Sequence, residues 1–205
     1  VVHQAKAVAT ISAGAGTVNA ASMDNTVISG HDALAAEPAD TDEFLVSDAG
    51  TIKRIDYSLI KASNTPAFSV KLSGNQSINH QTWTKVTLSA EDYDTDSAFA
   101  SNKFTVPSGK AGKYFFHYNL GSAASLDDGE RLLGALYKNG SKLSEYSTSN
   151  DRSPTGNVDN FINNSITLAL DAADYIELYV YHSEGAAMNV LANSCLLQGH
   201  RLIGV

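Results

Sequence analysis

Lys103 to Leu120 reads KFTVPSGKAGKYFFHYNL, two alternating segments separated by a turn containing Pro107, Gly109 and Gly112. Successive side chains of an extended strand point to opposite faces. Phe104 and Val106 therefore share one face before the turn, and Tyr114, Phe116 and Tyr118 share one face after it. Pro107 ends the first segment because it has no N–H to contribute to a ladder. The same pattern recurs downstream. Leu136-Tyr137-Lys138-Asn139-Gly140 ends on the Asn-Gly pair that favours a two-residue hairpin turn, and Ile166 to Val180 holds two alternating runs joined across Asp171 to Asp174. The expectation is an antiparallel all-β sandwich. Its outward side chains would be Phe115, His117 and Asn119 on one run, and Tyr175, Glu177, Tyr179 and Tyr181 on another.

Five short patterns in this part of the chain occur in a recognisable order. They are Pro66-Ala67-Phe68-Ser69-Val70, then Tyr93-Asp94 followed by Lys103 to Pro107, then Gly112, Tyr114 and Phe116. Leu136 to Gly140 follows, and last comes Asp174-Tyr175-Ile176-Glu177-Leu178. Taken together they resemble the complement-one-q globular head, a member of the tumour necrosis factor-like jelly-roll superfamily, over residues 65–205. Ala173 stands where the family pattern has Gly. The resemblance implies a jelly-roll head that assembles as a homotrimer. Because large outward aromatics need a partner surface, and the faces of this family pack around a three-fold axis, it implies Phe115, Tyr179 and Tyr181 as trimer-interface residues.

Composition narrows the partners. The 205 residues carry 14 Lys and Arg against 22 Asp and Glu, a net charge of -8. Phosphate binding needs clustered cations, and adhesion to anionic lipid needs them too, so nucleic acid and membrane insertion are not expected. No apolar run reaches the ~18 residues needed to span a bilayer, and no signal-peptide core is seen at the N-terminus. The expectation is a chain that stays in the cytosol or leaves it by another route, such as virion assembly and host lysis. A lone Cys195 in an apolar run reads as a small buried hydrophobe.

Upstream of the head, residues 1–38 are rich in Ala, Gly, Ser and Thr and too poor in large apolar side chains for an independent core. An extended β-rich arm or oligomeric stalk is expected there. Residues 39–64 read as a small hairpin module and linker. Phe44-Leu45-Val46 and the Ile52, Ile55 run flank Asp48-Ala49-Gly50, with Gly50 at a position needing positive φ. The run Thr41 to Ile55, TDEFLVSDAGTIKRI, resembles a small segment common in phage tail-fibre and other virion proteins. That resemblance implies a virion surface protein, with the N-terminal arm contacting other virion proteins.

Catalytic and metal chemistry find little support. Glu91, Asp92, Asp94 and Asp96 offer hard oxygen ligands for calcium, but Ser97 and Lys103 stand where an EF-hand loop needs Gly and Glu. A solvated turn is the favoured reading there, and no cofactor is expected. The six histidines show no zinc spacing, and no G-x-S-x-G elbow nominates a nucleophile, so the chain reads as a non-enzyme. Trp83, the one tryptophan, reads as a core or interface residue rather than a sugar platform. The polar stretch Ser141 to Asn164 reads as a long loop, with Tyr146, Asn150, Asp151 and Arg152 as candidate ligand-binding residues. The resulting expectation is a phage fibre or spike protein whose trimeric head binds a host-surface glycan or protein. The alternative is a capsid-decorating or fibre-assembly protein without a receptor.

Overall fold

A computed structural model describes residues 26–61, 63–123, 126, 129–143, 148–152 and 160–203. They fall into two units, divided after Lys61. The first unit holds one helical turn α1 (Thr26–Ser29), strands β1 (Glu43–Asp48) and β2 (Thr51–Asp56), and a second helical turn α2 (Tyr57–Ile60). β1 and β2 form the hairpin read from the sequence, with Asp48 opposite Thr51. Ala49 at φ 48° and Gly50 at φ 85° make the turn, the doubly positive geometry that suits the right-handed twist of a two-residue hairpin. Among the described residues the hairpin pairs with no third strand. Leu45 and Ile52 are largely exposed. Most of the arm expected over residues 1–38 lies outside the described residues.

The second unit is the sandwich. Its strands are β3 (Ala67–Leu72), β4 (Gln76–Ile78), β5 (Thr84–Lys85), β6 (Leu88–Asp94), β7 (Phe99–Ala100), β8 (Lys103–Thr105) and β9 (Gly112–Ser122). Then come β10 (Glu130–Lys138), β11 (Ser141–Lys142), β12 (Thr148–Arg152), β13 (Asn160–Leu170), β14 (Tyr175–His182), β15 (Met188–Val190) and β16 (Leu196–Arg201). One sheet runs β4-β15-β9-β16-β3-β6 with β13 on the far side of β9; the other runs β11-β10-β14-β8-β7, with β12 on β10 and β5 on β14. All pairings are antiparallel. The two runs joined across Asp171–Asp174 do not form a hairpin, because β13 pairs β9 while β14 pairs β10. The connection crosses from one sheet to the other, as a jelly roll requires.

The alternation read from the sequence sets the core. Phe104, Tyr114, Phe116, Tyr118, Ile176 and Val180 are all fully buried. Phe104 stacks on Phe68 at 4.8 Å between ring centroids and meets Phe116 edge-on at 5.7 Å, which ties the two sheets together. Tyr118 crosses the core to donate its hydroxyl to the Gly134 carbonyl at 3.0 Å, so its buried polar atom has a partner. Cys195 is buried as expected, and burial pushes its thiol pKa up, away from reactivity. The stretch Ser141 to Asn164 departs from expectation. Instead of one loop it contributes β11, β12 and the start of β13. β12 is built from TSNDR, in which only Thr148 favours a strand, but the free edge of β10 supplies its ladder partners from Glu130 to Gly134.

Candidate functional site

The sandwich has two outward faces, and they differ in chemistry. Over β3, β16, β9 and β13 the register brings outward residues into rows: Ala67, His200, Phe115 and Thr167, then Ser69, Gln198, His117 and Ser165. A third row holds Lys71, Leu196, Asn119 and Asn163. Phe115 packs against His200 at 5.5 Å between ring centroids, and His117 Nδ1 lies 2.9 Å from Ser165 Oγ. Asn119 donates to the Ser194 carbonyl at 2.6 Å, and Phe161 at the rim is 51% exposed. No carboxylate occupies an outward position on these four strands, although the chain has 22 of them. Lys71 is neutralised by Asp92 on the neighbouring β6, at 2.6 Å.

Over β5, β14 and β10 the other outward face is aromatic. Tyr179 stacks on Tyr137 with ring centroids 3.9 Å apart, and Trp83 leans against Tyr181 at 5.4 Å and Tyr137 at 6.2 Å. Each such pair is worth ~0.5–1.5 kcal/mol beyond the area it buries, so the rings hold one another in place. Ala135, cross-strand partner of Tyr179 and outward by register, is fully buried in this setting. Burial pushes the Tyr137 and Tyr179 hydroxyl pKa values up; the nearby Tyr179 adds to the first, and Glu177 and Tyr175 add to the second. Lys142 Nζ sits 3.9 Å above the Trp83 ring, and Lys103 Nζ 4.2 Å above Tyr175. Glu177, buried despite its outward position, is held by Lys85 at 2.7 Å.

These placements separate the residues expected at one interface. Phe115 lies on the first face, while Tyr179 and Tyr181 lie on the opposite one. In a closed ring of three, the two contacting patches of each chain converge on the axis, and opposite faces of a sandwich diverge. The three residues thus lie on two separate outward faces. Of the candidate loop residues, Tyr146 lies outside the described residues. Asn150, Asp151 and Arg152 form part of β12, where their backbones pair with Leu132, Arg131 and Glu130. Trp83 and Tyr137 were missed as partners of Tyr179 and Tyr181, since nothing in the sequence announces the pairing of Lys85 with Tyr179.

The acidic run that suggested calcium is dispersed by the fold. Asp92 bonds Lys71 and Ser69, and the Lys71 ammonium, then Ser69, hold its carboxyl below the ordinary range. Asp94 instead accepts the Ala98 and Phe99 amides at 3.0 and 2.8 Å, which closes the turn before β7. Asp127 and Asp128 lie outside the described residues. Among the described residues no three His, Cys, Asp or Glu side chains gather to hold a metal.

Asp174 shows what two of the sequence patterns do. Lys138 Nζ reaches its carboxylate at 2.7 Å, Asn139 Nδ2 donates at 2.7 Å and the Asp171 amide at 2.8 Å. Those donors, Lys138 foremost, lower its pKa to about 2. Asn139 in turn accepts the Tyr175 amide at 2.9 Å. The Lys-Asn-Gly turn after β10 and the Asp before β14 thus interlock at one end of the sandwich, the reason both patterns are needed.

The chain is similar to several solved structures. The globular domain of a zebrafish complement 1qA protein aligns at 20% identity and a TM-score of 0.49, covering 67% of this chain and 98% of that one. Murine APRIL aligns at 10% identity and a TM-score of 0.50, covering 66% and 98%. The fold is an antiparallel jelly roll like that of murine APRIL. An Eiger TNF from S. frugiperda gives 14% identity, a TM-score of 0.48 and coverage of 68% and 93%. No family model and no curated protein matches the chain.

Proposed function

We propose that this chain is a non-enzymatic virion fibre or spike protein, whose jelly-roll head associates as a homotrimer and binds a host-surface glycan or protein. The carboxylate-free face over β3, β16, β9 and β13 carries the reading of self-association. In a chain of net charge -8, a face without negative side chains is where copies meet with least repulsion. Its Phe115, Leu196 and Phe161 supply apolar area, and the surrounding Ser, Thr, Asn and Gln supply adaptable polar contacts. The β1–β2 hairpin supports the same reading, because a lone two-stranded sheet is marginal in water and its exposed Leu45 and Ile52 call for further copies or a partner.

The virion assignment rests on the likeness of Thr41–Ile55 to fibre segments and on the likeness of the fold to ligand-binding trimeric heads. The chain works outside the cell on the particle surface, released by host lysis, with residues 1–38 engaging other virion proteins. Three heads on one stalk present three copies of each weak contact, so avidity raises attachment well above single-head affinity. Cryo-electron microscopy of particles carrying the chain tests the assignment. Density for the head at a fibre or spike tip is expected; density for it seated on the capsid shell points to a decorating protein and overturns receptor binding.

A further inference from the structure

We infer that the aromatic face over β5, β14 and β10 is a binding site for a carboxylated saccharide, with Trp83, Tyr137, Tyr179 and Tyr181 as the platform and Lys142 as the carboxylate's partner. This inference rests on the reading of the chain as a binding head, and assigns the ligand class and the face.

The rings are half-buried and packed on one another, so the platform exists before any ligand arrives and little is lost in ordering it. A pyranose ring presents an apolar C–H face and an equatorial belt of hydroxyls. The first packs on the face of an indole or phenol, and the second needs hydrogen-bond partners close by. No described residue engages the hydroxyls of Tyr137, Tyr179 or Tyr181, which leaves three phenols able to donate or accept.

Charge selects among saccharides. Lys142 is exposed, touches the Trp83 ring and has no carboxylate partner among the described residues; Lys103, half-buried over Tyr175, has none there either. Glu177, the one carboxylate described at an outward position on these strands, is already matched by Lys85. The face is therefore locally cationic on a chain of net charge -8, the complement of a uronic or sialic acid rather than of a neutral sugar. A second copy of this acidic chain is a poorer occupant, and a closed trimer formed on the Phe115 face leaves this opposite face outward.

Trp83 is the one tryptophan of the chain, so its fluorescence reports this face alone. The full chain is titrated with a hyaluronan decasaccharide, an oligosialic acid and, for comparison, a neutral dextran oligosaccharide, following Trp83 emission and binding heat. Saturable change with at least one acidic sugar and none with dextran is expected. Lys142→Gln weakens that binding about 5- to 10-fold and Tyr179→Ala at least as much, while Lys113→Gln, the same charge loss on the opposite sheet, leaves it unchanged. Unchanged circular dichroism and sedimentation of each variant guard against misfolding. The inference is overturned if neither acidic sugar binds, if dextran binds equally, or if Lys142→Gln binds as the parent does. A chain that still sediments as a trimer yet ignores these sugars sinks this inference alone, whereas a monomer sinks the proposed function.

Discussion

Ala173 stands at φ 71°, a left-handed conformation that a Cβ disfavours, in the turn between β13 and β14. Ala173→Gly should therefore stabilise the fold by ~0.5–1 kcal/mol, less than the full steric relief because glycine also loosens the unfolded chain. Urea titration checks it, with a higher midpoint and an unchanged slope. One residue on, the depressed pKa of Asp174 makes stability depend on pH. Its carboxylate binds Lys138, Asn139 and the Asp171 amide only when ionised, so the unfolded chain takes up its proton first on acidification. The stabilisation is fully present above the unfolded value near 3.8 and is lost as pH falls through the folded value of about 2. Asp174→Asn should be less stable than the parent at pH 6, and the gap should close between pH 4 and pH 2. A gap constant over that range contradicts the assignment.

At the scale of strands, Gly199 on β16 shows how closely the ladders approach. A Cβ there would lie 2.8 Å from the Phe115 carbonyl and 2.8 Å from the Phe116 ring, with backbone on one side and packed core on the other. Gly199→Ala should cost ~1–3 kcal/mol in a denaturant titration; a loss near zero would mean that β9 and β16 can part without penalty. The long strands were legible because β9 and β14 alternate large apolar residues with others over many positions, and a one-residue slip would expose the whole set. The hairpin turns were legible from Asn139-Gly140 and Asp48-Ala49-Gly50, whose residues tolerate positive φ. β12 and β5 were not. Two to five polar residues carry no period, and they become strands only because β10 and β14 offer open edges. The aromatic face was hidden for that reason, since Trp83 meets Tyr181 through a pairing almost a hundred positions long.

For the whole molecule, the decisive contrast is between one outward face without carboxylates and another whose rings are fixed and whose Lys142 meets no carboxylate among the described residues. Alternation predicted which side chains point out, but not that Phe115 and Tyr179 point in opposite directions, because which sheet a strand joins is set by long-range pairing. With copies meeting on the Phe115 face as proposed, Phe115→Asp, which places three carboxylates about the axis, should dissociate the assembly while the far-ultraviolet spectrum stays that of a β protein. Sedimentation equilibrium of the full chain at micromolar concentration tests the central claim most directly. A single species of three times the 21.7 kDa chain mass, converted to the chain mass by Phe115→Asp, is the predicted result. A parent chain that sediments at 21.7 kDa across the concentration range would contradict it.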